Sequence, residues 1–153
     1  MGKNLHKRQS WKLERIRCRM ILSVDVQYQH FTGFAAGIIF EKWDSQTETE
    51  CYISKTNNIE EYIPGEFYKR ELPCILNVIN LVKRDIQCIL IDGYVYLDGH
   101  SKPGLGKYLF DQLSGKIPVV GIAKSSFGSI SDVYKISRGN SSRGLYVTSI
   151  GLP

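Results

Sequence analysis

Nowhere does the sequence string together the roughly twenty apolar residues that a membrane-spanning helix needs, so nothing in it reads as a membrane anchor. Its first residues are basic, but no apolar segment follows them, and no secretory leader is expected. Cysteine is sparse: Cys18, Cys51, Cys74 and Cys88 are far apart and form no CxxC pair. That spacing argues against a zinc site or a disulfide framework and for reduced thiols in an intracellular, cytoplasmic protein. The three histidines, His6, His30 and His100, lack metal-ligand spacing. There is no GxSxG nucleophile elbow, no P-loop and no GxGxxG fingerprint. Low-complexity tracts and internal repeats are missing too.

What is present fits a single soluble α/β domain. The chain of 153 residues is long enough to bury a substantial core, and 42% apolar with 23% charged residues is ordinary for a globular protein. Its net charge of +5 is misleading. Residues 1–19 hold seven basic side chains and one acid, whereas the rest of the chain is close to neutral. The expected organisation is therefore a basic arm over 1–19 and one domain over 20–153. Such an arm suits contact with nucleic-acid phosphates, and equally suits a solvated, frayed terminus.

Periodicity gives the order βββ-α-β-α-β-ββ. Strands are expected at about 20–28, over FAAGIIFEKW and at 48–55, joined by short links as an antiparallel meander. From about Glu71 the pattern turns helical. Leu72, Ile75, Leu76, Ile79 and Val82 fall on one face, and Pro73 falls in the first turn. CILID at 88–92 suits a central strand, LGKYLFDQL a second helix, and PVVGIAKS another buried strand. DVYKISR and LYVTSIG read as a closing strand pair around RGNSSRG.

Three residues break the apolar pattern. Asp25 interrupts ILSVDVQY, Asp92 ends CILID, and Lys124 ends GIAK. Open α/β sheets place ligands at the carboxyl ends of their strands. Asp25 inside a strand is costly if buried alone. Singly, most of these polar residues have an ordinary explanation: Asp-Gly is a common turn, a glutamate such as Glu71 near a helix start suits the dipole, and a lysine at a strand end snorkels to water. Asp25, amid the apolar residues of a strand, is harder to dismiss. Taken together they suggest more. With Asp25 and Asp92 on neighbouring strands, two carboxylates would repel unless a cation lay between them. A hard divalent cation needs only one or two carboxylates plus water and phosphate oxygens, and Glu71 could supply a third.

Four motifs carry a resemblance: VDVQY around Asp25, YIPGEFYKRE from Tyr62 to Glu71, LIDG around Asp92 and GIAKS around Lys124. In order and spacing they resemble the endonuclease V family of nucleases, from about residue 20 onward. The resemblance implies an RNase H-like fold: a mixed central sheet with three antiparallel strands first and helices on both faces. Asp25, Glu71 and Asp92 look like the family's ligands for Mg²⁺ (or Mn²⁺), and Lys124 like its active-site lysine. Tyr62, Ile63 and Pro64 look like the wedge that parts strands beside a lesion. Gly65 and Gly93 resemble the backbone lining of a pocket for a flipped base. The implied activity is hydrolysis near deaminated, inosine-type bases in DNA or RNA, leaving 3′-hydroxyl and 5′-phosphate ends and serving nucleic-acid repair. In the family a helical segment follows the last strand, whereas this sequence ends at Pro153, so that segment is expected to be missing. The alternative is a catalytically impaired nucleic-acid-binding or interaction protein on the same fold. Another RNase H-like nuclease, such as a resolvase, is disfavoured by the YIPG turn.

Overall fold

A computed structural model describes residues 20–153, and the basic arm expected over 1–19 lies outside the described residues. Three antiparallel strands open the fold: β1 (Met20–Gln29), β2 (Thr32–Phe40) and β3 (Glu50–Thr56). Helix α1 (Phe67–Leu81) leads to β4 (Ile86–Asp92), and α2 (Leu105–Gln112) leads to β5 (Val119–Ala123). A 3₁₀ turn at Asp132–Tyr134, a two-residue β6 (Lys135–Ile136) and β7 (Leu145–Ile150) close the sheet. Its seven strands run in the order β3-β2-β1-β4-β5-β7-β6, with β1, β4 and β5 parallel. The expected α/β architecture and its strand order along the chain are therefore present. Among the described residues no helix is long and apolar enough to cross a membrane.

Alternation in β1 decides which face is covered. Leu22 and Val24 point into the core with Ala35 and Ile39 of β2, Ile89 and Ile91 of β4, and Val119 of β5. Helix α1 closes that face with Cys74, Ile75 and Val78. It approaches so closely that two β2 glycines are needed. A Cβ on Gly33 would lie 2.5 Å from the Cys74 sulfur, and one on Gly37 would lie 2.5 Å from a Val78 methyl. Both positions leave no room for a methyl group without moving the helix.

The structure corrects several expectations. Helix α1 starts four residues earlier than its apolar periodicity suggested, so Glu71 and Pro73 lie past its first turn. Pro73 is exposed, and the helix gives up one main-chain hydrogen bond there. The fully buried face runs through Glu71, Cys74, Ile75 and Val78, with Leu72, Leu76, Ile79 and Val82 on its flank. DVYKISR is mostly turn, with only Lys135 and Ile136 paired to β7. The helices also do not flank both faces. The β3-α1-β4 and β4-α2-β5 connections both join parallel strands and step across the sheet in the same direction. Right-handed crossovers then put both helices on one face, where they touch each other. On the other face Phe34, Ile38 and Ile53 are exposed.

Candidate active site at the carboxyl ends of the strands

The parallel register sets Val24 beside Ile91, so one residue further along Asp25 stands beside Asp92. This is the adjacency expected from the sequence. The burial is not: Asp25 is exposed, on the face opposite α1, and its Oδ1 accepts a hydrogen bond from the Val26 N–H at 3.0 Å. Its place in an apolar strand therefore carries no desolvation cost. The carboxylate that does carry one is Glu71, buried on the inner face of α1. Its pKa is raised to about 7: burial pushes it up, the Tyr28 hydroxyl pulls it back, and the nearby charges of Asp25 and Asp92 push it up again. Glu71 is thus in electrostatic reach of both aspartates.

Tyr28 holds Glu71 in place. Its hydroxyl donates to Glu71 Oε2, and burial together with that bond raises the Tyr28 pKa. The Arg70 guanidinium lies 3.7 Å from the centre of the Tyr28 ring, a cation–π contact. Alternation in VDVQY puts Tyr28 on the same face as Val24 and Val26, though Tyr28 is not among the site residues expected from the sequence. An aromatic with a polar tip at the end of an apolar face needs a partner, and that signal was available in the sequence.

Asp92 ends β4, and Lys124 follows the last residue of β5. The Lys124 ammonium is 3.3 Å from Asp92 Oδ2, with both side chains largely in solvent. Among the described residues no three His, Cys, Asp or Glu side chains form a ready-made metal cluster. Instead the Glu71, Asp25 and Asp92 oxygens meet Tyr28, the Val26 N–H and Lys124. A hard cation nevertheless fits this donor set. The set offers oxygen ligands only, includes an exposed aspartate, and holds a buried carboxylate whose raised pKa an adjacent cation would lower.

Beside this cluster opens a pocket of about 170 Å³. Tyr62, Gly65 and Gly93 line it, as do Phe67, Tyr68, Tyr94 and Phe127. The YIPG segment forms its rim. The Glu66 N–H bonds the Ile63 carbonyl at 2.9 Å, Pro64 sets the first corner, and Gly65 at φ +83° takes the left-handed second corner. That is a type II turn, and only glycine fits its second corner without strain. The turn exposes Tyr62 and Ile63 to solvent and sets the Tyr62 ring edge-on to Phe67, with centroids 6.4 Å apart. Ile63 and Pro64 stay outside the pocket lining. Gly93, at φ +135°, follows Asp92 directly and joins the carboxylates to the pocket wall. The Tyr94 hydroxyl donates to the Ser125 carbonyl at 2.5 Å, and the Val95 N–H donates to Thr148 at 2.8 Å. These bonds tie the loop after β4 to the segment after β5 and to β7. Phe127 comes from that segment, and no sequence signal pointed to it.

The chain matches the family model described as Endonuclease V over residues 2–149. No curated protein sequence matches it significantly. Among solved structures it is similar to human ENDOV at 16% identity, covering 85% of this chain and 68% of that one, with a TM-score of 0.69. Endonuclease V from Streptomyces avermitilis matches at 18% identity, 84% and 64% coverage, and a TM-score of 0.63. Ciona intestinalis endonuclease V was solved with a 24mer DNA containing an inosine followed by a ribo-adenosine. It matches at 13% identity, 86% and 70% coverage, and a TM-score of 0.70. The chain therefore spans about two thirds of the length of these structures. At such identities the likeness shows the shared RNase H-like fold, while the family model covers nearly the whole chain. The chain belongs to the endonuclease V family of nucleases.

Proposed function

We propose that the protein is a metal-dependent endonuclease that hydrolyses a phosphodiester bond near a deaminated, inosine-type base in DNA or RNA, as a step of nucleic-acid repair. One observation carries the reading: a base-sized pocket lined by Tyr62, Gly65 and Gly93 opens beside a buried Glu71 flanked by Asp25 and Asp92. The complex of the Ciona relative with inosine-containing DNA supports the choice of substrate. Free thiols at Cys51, Cys74 and Cys88 support a reducing, cytoplasmic setting.

Asp25, Glu71 and Asp92 would hold Mg²⁺ or Mn²⁺. Bound there, the cation would neutralise charge on the phosphate and lower the pKa of a bound water. The chain's own groups do the rest. Tyr28 keeps the Glu71 carboxylate in one orientation through its hydroxyl. Lys124, exposed and paired only with Asp92 among the described residues, can turn its ammonium toward a phosphate oxygen and stabilise charge that grows there. Tyr62 stacks on a base beside the lesion, with Ile63 and Pro64 stiffening the turn. The pocket takes the flipped base against Gly65 and Gly93, where the missing side chains let a planar ring approach the backbone. A mispaired or damaged base costs less to unstack, which favours it over normal bases.

The test is incubation with inosine-containing and unmodified oligonucleotides, single- and double-stranded, in Mg²⁺ or EDTA. Cutting near inosine in Mg²⁺ and none in EDTA is the expected result. Cutting that ignores inosine or survives EDTA would sink the proposal. Tight binding without cutting would point instead to the impaired binding protein.

A further inference from the structure

The two edges of the sheet carry opposite charge, and of these charges the site described above uses only Lys124. Residues 41–66, around β3, hold seven acids and two bases. Residues 124–143, running into the β6–β7 hairpin, hold four bases (Lys124, Lys135, Arg138, Arg143), seven serines and one acid, Asp132. Strands β3 and β6 are the outermost strands of the sheet. Register puts Glu41, Asp44, Glu48 and Glu50 at the far end of the strands, so the acids on the β3 side of the site are Glu60, Glu61 and Glu66.

Register aims the basic block at the site. Ala123 pairs with Tyr146, and Tyr146 pairs with Lys135. The hairpin tip at 137–144 therefore continues past the carboxyl end of β5, the end that carries Lys124. Within the tip the Ser141 N–H bonds the Arg138 carbonyl at 3.0 Å, and the Arg143 N–H bonds Ser141 Oγ at 3.2 Å. Arg138 and Arg143 are exposed, and neither meets an acidic side chain among the described residues. Lys135 is partly committed to the fold, its ammonium 6.0 Å from the Tyr146 ring. Between tip and pocket lie the exposed Ser125 and Ser126 and the half-exposed ring of Phe127, which also lines the pocket.

We infer that the tip of the β6–β7 hairpin, through Arg138 and Arg143, is a docking surface for the phosphate backbone of the nucleic-acid strand whose base enters the pocket. The inference rests on the nucleic-acid reading above and adds a direction to it. A polyanion is attracted by the unpaired arginines at this edge, whereas the exposed Glu60 and Glu61 on the β3 side repel it. The strand therefore leaves the pocket over Phe127 and Lys124 toward the hairpin. Exposed cations, hydroxyls and an aromatic ring in series suit a single strand read without regard to sequence.

The experiment measures binding of a labelled single-stranded oligonucleotide, with and without inosine, in EDTA over a salt series. Wild type is compared with Arg138→Gln/Arg143→Gln and with Lys83→Gln/Lys116→Gln. The second variant removes the same charge from exposed sites at the opposite end of the parallel strands. The arginine variant should bind about tenfold or more weakly at low salt. Its slope of log K against log salt should be shallower by roughly 1.4, about 0.7 for each lost phosphate contact. Its melting temperature should not change, and the lysine variant should bind like wild type. Equal affinity and slope in the two variants would overturn the docking assignment and leave the nuclease reading standing. Hairpin-dependent binding by a wild-type chain that cuts nothing in Mg²⁺ would do the reverse. A wild-type chain that binds no nucleic acid would overturn both.

Discussion

Beneath α1 the strands are closed and dry, whereas one or two residues further along the same strands they open into solvent and charge. Leu22 and Val24 of β1 and Ile89 and Ile91 of β4 are packed under the helix, while Asp25 and Asp92 at the next positions are exposed. Glu71 is the exception, a carboxylate carried from the helix into the boundary between the two regions. The contrast separates two kinds of constraint. Under the helix, size matters, as the Gly33 and Gly37 contacts show. At the rim, charge and direction matter, and the packing there is loose enough for a pocket. Damage under the helix should therefore appear as lost stability, and damage at the rim as lost chemistry.

The sharpest test of that division is inside. Ile75, packed under α1, should cost about 2–5 kcal/mol when replaced by Ala, read as a lower midpoint in urea unfolding. Comparable loss from Asp92→Asn would erase the distinction. Asp92→Asn removes only an exposed pair with Lys124, so its melting temperature should stay near wild type. Its cleavage of an inosine-containing oligonucleotide should fall by about 10²–10³ or more, and full cleavage by that variant would refute the assignment of Asp92.

Glu71 offers a way to see the boundary through pH. Its folded pKa, about 7, is above the ordinary glutamate value of 4.5. The folded state therefore keeps a proton that the unfolded state has already lost, and stability falls as pH rises from about 4.5 through 7. The loss is on the order of 3 kcal/mol, because each tenfold difference in proton affinity between the two states is worth about 1.4 kcal/mol. Glu71→Gln should flatten that slope in urea titrations at pH 5 and pH 8, and saturating Mg²⁺ should flatten it in wild type. A slope that survives in Glu71→Gln would assign it to another group.

The smallest effect is expected at the outermost point. Tyr62→Ala should lose base stacking worth about 1–3 kcal/mol and leave metal binding intact. Cleavage of duplex should suffer more than cleavage of single strand, because only the duplex must be parted. Equal loss on both substrates, tracking a lower melting temperature, would make Tyr62 a packing residue of its turn.

Local rules in the sequence determined a good deal of this. Branched alternation marked β1 and β2, the Pro64-Gly65 pair determined the turn that presents Tyr62, and short apolar runs marked β4 and β5 with Asp92 and Lys124 at their ends. Each of these depends on neighbours in the chain. Helix α1 was legible only in part, because its first turn, Phe67 to Arg70, is shaped by the YIPG turn and by Tyr28 rather than by apolar spacing. Only the tertiary structure decided that Asp25 is exposed and Glu71 buried, since burial depends on which face of the sheet the helix covers. It decided, too, that both helices share one face, through the direction of two successive crossovers. Phe127 joins Tyr62 in one pocket, and the hairpin tip that carries Arg138 and Arg143 runs past the end of β5 that carries Lys124, because distant segments meet at one end of the sheet. No spacing along the chain encodes that meeting.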